Sequence, residues 1–196
     1  MRVKTILKYL GLVLLGLLLG GLWAVYQLNQ VKTSTSFQLE NGAWRVNPSM
    51  DLSKNTFQRA LVSRIGLFAL RESEVLYYVA RTDENGDPLS SAYDYEIVGN
   101  ALDARYWSFT LYGEDFFLVP NDTKQYGYNM ENMVYEDSTQ SSYRIRLSSR
   151  EQYDNWLPAG KEKQLTITLR MYNPDPTVVQ NLASVALPII RKIEPK

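Results

Sequence analysis

The sequence contains no cysteine and no histidine. The first absence removes disulfides, thiol nucleophiles and iron–sulfur clusters, and the two together close the usual zinc sites. Without histidine there is also no imidazole general base. A metal, if one binds, has to be held by oxygen. Charge of one sign is lacking too: 21 Lys and Arg balance 21 Asp and Glu, so the chain offers no basic field for a phosphate backbone, and no nucleic-acid partner is expected. Absent as well are a Gly-x-Ser-x-Gly elbow, a Ser-x-x-Lys pair, a Walker loop and a Gly-x-Gly-x-x-Gly turn, which are the usual signatures of acyl transfer and nucleotide chemistry. Freedom from cysteine fits an oxidising compartment.

One long apolar run is present. From Tyr9 to Tyr26 the chain reads YLGLVLLGLLLGGLWAVY, with no charge, and the next charge is Lys32. At ~1.5 Å per residue a helix of this length spans roughly 27 Å, close to the hydrocarbon core of a bilayer. A cleaved signal peptide is the competing reading, but neither Ala24 after Leu22 nor the Gly20-Gly21 pair before Leu-Trp makes a good cleavage site. The expectation is therefore an uncleaved anchor. Arg2, Lys4 and Lys8 keep the amino terminus cytoplasmic by the positive-inside rule, and Trp23 and Tyr26 suit the far interface. Gly16 and Gly20 have the spacing that lets two such helices approach, which makes a homo-oligomer one partner expectation. The expected organisation is a basic cytoplasmic tail at 1–8, a transmembrane helix at 9–28, a tether at 29–41 and a periplasmic domain at 42–196, in a bacterial inner membrane.

In that domain, residues 55–70, NTFQRALVSRIGLFAL, place Phe57, Ala60, Leu61, Ile65 and Phe68 at helical spacing behind a capping Asn55, which predicts one amphipathic helix. Beyond Glu74 the period changes to two. Trp107, Phe109 and Leu111 alternate with Ser108, Thr110 and Tyr112; Tyr143, Ile145 and Leu147 with Arg144 and Arg146; Leu165, Ile167, Leu169 and Met171 with Thr166, Thr168, Arg170 and Tyr172. That is the pattern of half-buried antiparallel strands. Shorter candidates lie at 74–81, 94–99, 116–119 and 126–130. Strands separated by Gly, Pro, Asn and Asp clusters predict a mainly β fold of two packed sheets.

The motifs Phe57-Gln58-Arg59-Ala60, Gly66-Leu67-Phe68-Ala69-Leu70, Glu74, Tyr77, the loop from Asp83 to Leu89, Tyr95, Gly99 and, above all, ARYWSFTLY at 104–112 occur in an order that resembles a bacterial family, domain of unknown function 1214. Asn155-Trp156-Leu157-Pro158, residues 169–174 (LRMYNP) and residues 187–191 (LPIIR) extend the resemblance. It implies a jelly-roll-like antiparallel β-sandwich in the bacterial envelope and no established activity. Two departures stand out. Asp137-Ser-Thr-Gln-Ser-Ser142 replaces an Asp-Gly-Ser, and Ala186-Leu187-Pro188 stands where the family tends to have a Trp before the Pro.

Three candidate sites follow. Tyr112, Arg144, Arg146, Arg170 and Tyr172 lie opposite the apolar positions of their strands, so neighbouring strands could assemble an aromatic and guanidinium patch for carboxylates, phosphates or sugars. Arg105 and Trp156 join this set, Trp156 either as a loop platform or as a plug, and the bland alternative is a polar sheet face tied by cross-strand pairs. The second candidate is RTDENGDPLSSAYDY at 81–95, with Asp83, Asn85, Asp87 and Asp94 near the positions of a calcium loop. Pro88 sits where such a loop needs Gly, and Asn85-Gly86 is a turn signal, so a hairpin joining the strand ending at Arg81 to one beginning near Tyr93 is expected, with a cation second. The third is a carboxylate pair drawn from Asp94, Glu96, Asp103, Glu114 and Asp115, which glycoside chemistry would need. No cofactor is expected. The functional expectation is a non-catalytic envelope binding or assembly module with an envelope-protein partner or a glycan or lipid ligand; the alternative is a carboxylate-dependent hydrolase or carbohydrate-active enzyme.

Overall fold

A computed structural model of the chain describes residues 2–34, 39–46, 70 and 73–193. The helix expected over 55–70 lies outside the described residues apart from Leu70. The N-terminal helix and the β domain fall into separate units and are taken in turn.

Helix α1 spans Arg2–Ser34. Leucine is a strong helix former and no proline interrupts the run. Its stretch Val3–Gln27 has a mean hydropathy of 2.0 and none of it is buried. At ~1.5 Å per residue these 25 residues reach about 37 Å, more than the ~30 Å of a hydrocarbon core. Among the described residues it is the one helix long and apolar enough to cross a membrane, and a signal sequence has the same character.

The domain is mainly β. In chain order its strands are β1 (Leu39–Asn41), β2 (Trp44–Val46), β3 (Val75–Ala80), β4 (Asp94–Asn100), β5 (Ala104–Tyr112), β6 (Gly127–Asn129), β7 (Ser142–Ser148), β8 (Trp156–Pro158), β9 (Thr166–Pro174) and β10 (Ile189–Ile193), with a short helix α2 (Pro176–Gln180) before β10. They form a six-stranded sheet, β1-β2-β3-β9-β5-β6, and a four-stranded sheet, β10-β4-β7-β8. Among the described residues all pairings are antiparallel except β7 with β8, which is parallel. The larger sheet is therefore antiparallel and the smaller one mixed.

The period-two segments bury the alternate residues the sequence marks: Trp107, Phe109 and Leu111 on β5, Tyr143, Ile145 and Leu147 on β7, and Ile167, Leu169 and Met171 on β9. Rings from both sheets interleave between them. Trp107 lies 5.1 Å from Tyr143, Phe109 lies 5.8 Å from Tyr143, and Trp44 reaches Phe109 at 6.2 Å. Such tilted contacts add to the burial of large apolar area. Strand β3 is buried on both faces, Val75, Tyr77 and Val79 as well as Leu76, Tyr78 and Ala80.

Several short strands depart from the sequence pattern. β1 occupies Leu39–Asn41, residues that read as tether, and pairs with β2. β8 contains the Trp156-Leu157-Pro158 motif, and β10 runs through Ile189–Ile193. The strand expected at 116–119 is reduced to one bridge, Tyr112 with Leu118. The C-terminal segment is pinned to the larger sheet before β10 joins the smaller one: Trp44 Nε1 donates to the Pro188 carbonyl (2.6 Å), Tyr78 OH to that of Leu182 (3.1 Å) and Asn41 Nδ2 to that of Val185 (2.8 Å). In α2, Pro176 follows Asp175, whose carboxylate accepts from the Thr177 amide at 2.8 Å, a capped start with proline where its missing N–H is harmless.

Candidate functional site

The aromatic and guanidinium patch expected from β5, β7 and β9 divides, because β7 belongs to the smaller sheet and β5 and β9 to the larger. On the larger sheet Arg170 is already committed. Its Nη1 donates to Thr110 Oγ1 at 2.8 Å and its Nη2 to Tyr112 OH at 2.6 Å, and its guanidinium lies 5.7 Å from the Tyr112 ring centre. The Tyr172 ring lies 5.8 Å from that of Tyr106, the two planes tilted by 54°. Beside them the Tyr77 phenol is pushed up to about 12, first by burial and then by Tyr172. These are cross-strand ties of a polar sheet face. Arg105 is exposed and alternates in register with Trp107, so it points to the face opposite Tyr112.

Arg144 and Arg146 stand on the outer face of the smaller sheet, where Trp156 is the direct neighbour of Arg146 across β7 and β8. Three of the expected residues thus meet there. Arg144 is held between two acids, Nη1 to Glu96 Oε2 at 2.6 Å and Nε to Glu136 Oε1 at 2.8 Å. The bond to Glu136, with Glu96 adding, lifts the Arg144 guanidinium above its ordinary value against the opposing effect of burial. Arg146 makes only a longer approach, its Nε lying 3.6 Å from Glu96 Oε1. Trp156 Nε1 donates to the Ser148 carbonyl, and its backbone N–H donates to Tyr128 OH, which in turn donates to the Trp156 carbonyl. That hydroxyl closes part of the edge of β8.

A cleft of about 280 Å³ opens beside these arginines. Val134, Tyr135 and Glu136 line one side, Arg144 and Arg146 the back, and Tyr153 and Asp154 the other side. Its floor is Asn155, which is buried: Oδ1 accepts from the Val134 amide (2.8 Å), while Nδ2 donates to the Val134 carbonyl (2.7 Å) and the Arg144 carbonyl (2.9 Å). The Asn155 carbonyl in turn receives the Arg146 amide at 2.8 Å. Every polar atom of that side chain ties one wall to the back. Asp154, next to it, has φ +60°, a left-handed conformation uncommon outside glycine. Tyr153 is 85% exposed, the most exposed large hydrophobic residue of the described β domain. The sequence places Trp156 among the candidate binding residues and carries Asn155 only as part of the same short motif, and it holds no sign of Val134 or Tyr153, which chain separation keeps apart until β7 and β8 pair.

In the loop considered for calcium, several of the oxygens already have partners, while Asp83 Oδ2 is buried without one among the described residues. Asp83 Oδ1 accepts the amides of Asn85 (2.9 Å) and Asp87 (3.0 Å), and Asp94 Oδ2 is paired with Arg150 at 2.8 Å. Among the described residues no three acidic groups gather to hold a metal. The turn itself is present, with Gly86 at φ +87° and a bridge from Thr82 to Pro88. The expected hairpin is corrected. β3 pairs with β2 and β9 whereas β4 pairs with β10 and β7, so the loop carries the chain from one sheet to the other.

The carboxylates considered for hydrolysis are dispersed in use. Glu96 is shared by Arg144 and Arg146, Asp94 is paired with Arg150, and Asp115 accepts from the Phe117 amide. Two acids outside that set are lowered from their ordinary values, Asp137 well below the usual carboxylate range. Asp137 is lowered by the hydroxyls of Ser142 and Thr139 and then by the amides of Ser141 and Ser142, and Asp175 by the hydroxyl and amide of Thr177. Both shifts favour the charged form, the opposite of a general acid.

The fold and the cleft define a two-sheet, sandwich-like β domain preceded by a long apolar helix. The profile of the family "Protein of unknown function (DUF1214)" matches residues 74–176, and the chain belongs to this family. Among solved structures it is similar to the VPA0106 protein from Vibrio parahaemolyticus, with a TM-score of 0.58 and 25% identity over 70% of this chain and 34% of that one. An uncharacterised protein from Burkholderia cenocepacia matches with a TM-score of 0.47 and 14% identity over 90% of this chain and 43% of that one. The chain thus spans less than half the length of either structure. No curated protein matches.

Proposed function

We propose that the protein is a single-pass, membrane-anchored module whose β domain lies across the membrane from its basic amino terminus, in the periplasm of a bacterial envelope, and acts there by binding or assembly without catalysis. The observation that carries this reading is α1: a helix of sufficient length, with none of Val3–Gln27 buried, and with Arg2, Lys4 and Lys8 at its amino end. The jelly-roll character implied by the family resemblance is kept within this reading as a description of how the two sheets wrap. A binding role draws support from the cleft floored by Asn155, whose walls are fixed by hydrogen bonds before any ligand arrives. The hydrolytic alternative has less to build on, since the acids nearest the arginines serve as their counter-ions.

Membrane fractionation with carbonate washing, followed by intact-mass analysis of the purified chain, tests the proposal. Full-length protein retained in the washed membrane is the expected result. A soluble product shortened within the first thirty residues would mean that α1 is a signal sequence and would overturn the anchored reading.

A further inference from the structure

The cleft beside β7 contains both spent and unspent polar groups. Glu136 and Arg144 are consumed by each other, and Asn155 by the backbone. Arg146 is different: its Nε makes only the 3.6 Å approach to Glu96, and its two terminal nitrogens have no partner among the described residues. The Asp154 carboxylate, on the opposite wall, likewise has none, and the adjacent Tyr153 ring stands almost fully in solvent. The left-handed backbone at Asp154 is a local strain held by the surrounding structure. One concavity therefore presents a fork of donors, an acceptor-only carboxylate and an aromatic face, on walls that Asn155 holds in place.

We infer that this cleft binds a neutral sugar, with the Tyr153 ring as the stacking face and Arg146 and Asp154 as the groups that receive its hydroxyls. A pyranose has an apolar C–H face and a rim of hydroxyls, each both donor and acceptor. Such a ligand uses an aromatic face together with one donor-only and one acceptor-only side chain. Charge decides against an anion: Arg144 and Arg146 are balanced within the lining by Glu136 and Asp154, so a phosphate or carboxylate entering beside Arg146 also meets two like charges. Polarity decides against a lipid chain, since Val134 and the two tyrosines are the only apolar walls. The volume of about 280 Å³ lies at the small end of ligand sites and suits one or two sugar rings.

This inference rests on the reading of the protein as a binding module and names its ligand class. The test uses the full chain in a detergent without a sugar headgroup. Three trisaccharides serve as probes, one of N-acetylglucosamine, one of glucose and one of galacturonic acid, with saturation-transfer NMR and calorimetry as readouts. At least one neutral trimer is expected to bind with a millimolar Kd. Tyr153→Ala and Arg146→Gln should each weaken it about tenfold, while Tyr93→Ala, which alters a partly exposed ring elsewhere, leaves it unchanged. The inference is overturned if neither neutral trimer binds, if only the galacturonic acid trimer does, or if binding survives Tyr153→Ala. Cleavage of a bound trimer would contradict the non-catalytic reading while leaving the site in place, and failure of all binding would leave the anchored topology untouched.

Discussion

Replacing Asn155 by alanine tests how the cleft is built. The side chain is 2% exposed and makes three hydrogen bonds, to the Val134 amide and to the Val134 and Arg144 carbonyls, at 2.7–2.9 Å. Truncation leaves those backbone groups without partners. An orphaned buried group costs about 1–3 kcal/mol, but the Val134 side chain is 55% exposed and water can reach that segment. The expected loss is therefore about 2–4 kcal/mol rather than the full sum. For a domain of this size that lowers Tm by roughly 5–15 °C, read from near-UV circular dichroism of the full chain. Asn155→Asp sharpens the test, since a carboxylate places an acceptor against two carbonyl oxygens. The introduced carboxyl has its folded-state pKa raised above the unfolded value, so its destabilisation appears as pH rises through the usual carboxylate range and is relieved at lower pH, where the protonated group can donate. An Asn155→Ala variant within about 0.5 kcal/mol of the parent, or an Asn155→Asp variant whose deficit does not shrink on acidification, would refute the assigned bonds.

Three further substitutions probe other parts of the domain. Gly127→Ala places a Cβ 2.0 Å from the Phe109 carbonyl oxygen, too close for any relaxation that keeps β6 on β5; a loss of about 3 kcal/mol or more is expected in urea unfolding, with faster amide exchange at Leu111, whose N–H bonds the Tyr126 carbonyl. Arg170→Met removes the ties to Thr110 and Tyr112 and should cost about 1–2 kcal/mol, whereas a neutral result would mean that these bonds contribute nothing to sheet pairing. The Asp137 carboxyl is depressed in the folded state by its hydroxyl and amide donors, so its contribution is present above the unfolded carboxylate value near pH 4 and fades as pH falls below it. Asp137→Asn should therefore flatten the stability profile over that acidic window and lower stability at neutral pH, and an unchanged acid profile would contradict the assignment.

The parts of the fold legible in the sequence are those where apolar residues alternate. β5, β7 and β9 have one face in the core, and Trp107, Ile145 and Leu169 announce it by period, although on β9 Thr166 and Thr168 of the opposite face are buried as well. Of the four described three-residue strands, β6 falls within the candidate at 126–130, while β1, β2 and β8 are too short to show a period; they exist because neighbouring strands offer them hydrogen bonds, which is tertiary information. The same reason governs the site. Arg144, Arg146 and Arg170 look equivalent in sequence, each opposite an apolar position. They separate because β9 inserts between β3 and β5 while β7 pairs with β4. The loop at 81–93 misleads for a related reason: its Asn85-Gly86 turn is real, but local turn chemistry does not specify whether the strands on either side share a sheet. The Asp137–Ser142 segment, which departs from the family pattern, satisfies itself through the Asp137 carboxylate and places Gln140 at φ +53°.

The central claim is that α1 anchors the chain with the β domain on the far side of the membrane. The absence of cysteine makes a direct measurement available. Single cysteines are introduced at exposed Ser138 and Thr5, and intact cells with a permeabilised outer membrane are treated with a membrane-impermeant maleimide. The account predicts labelling of Ser138→Cys in these cells and of Thr5→Cys only after the inner membrane is disrupted. Labelling of Thr5→Cys with protection of Ser138→Cys would contradict it.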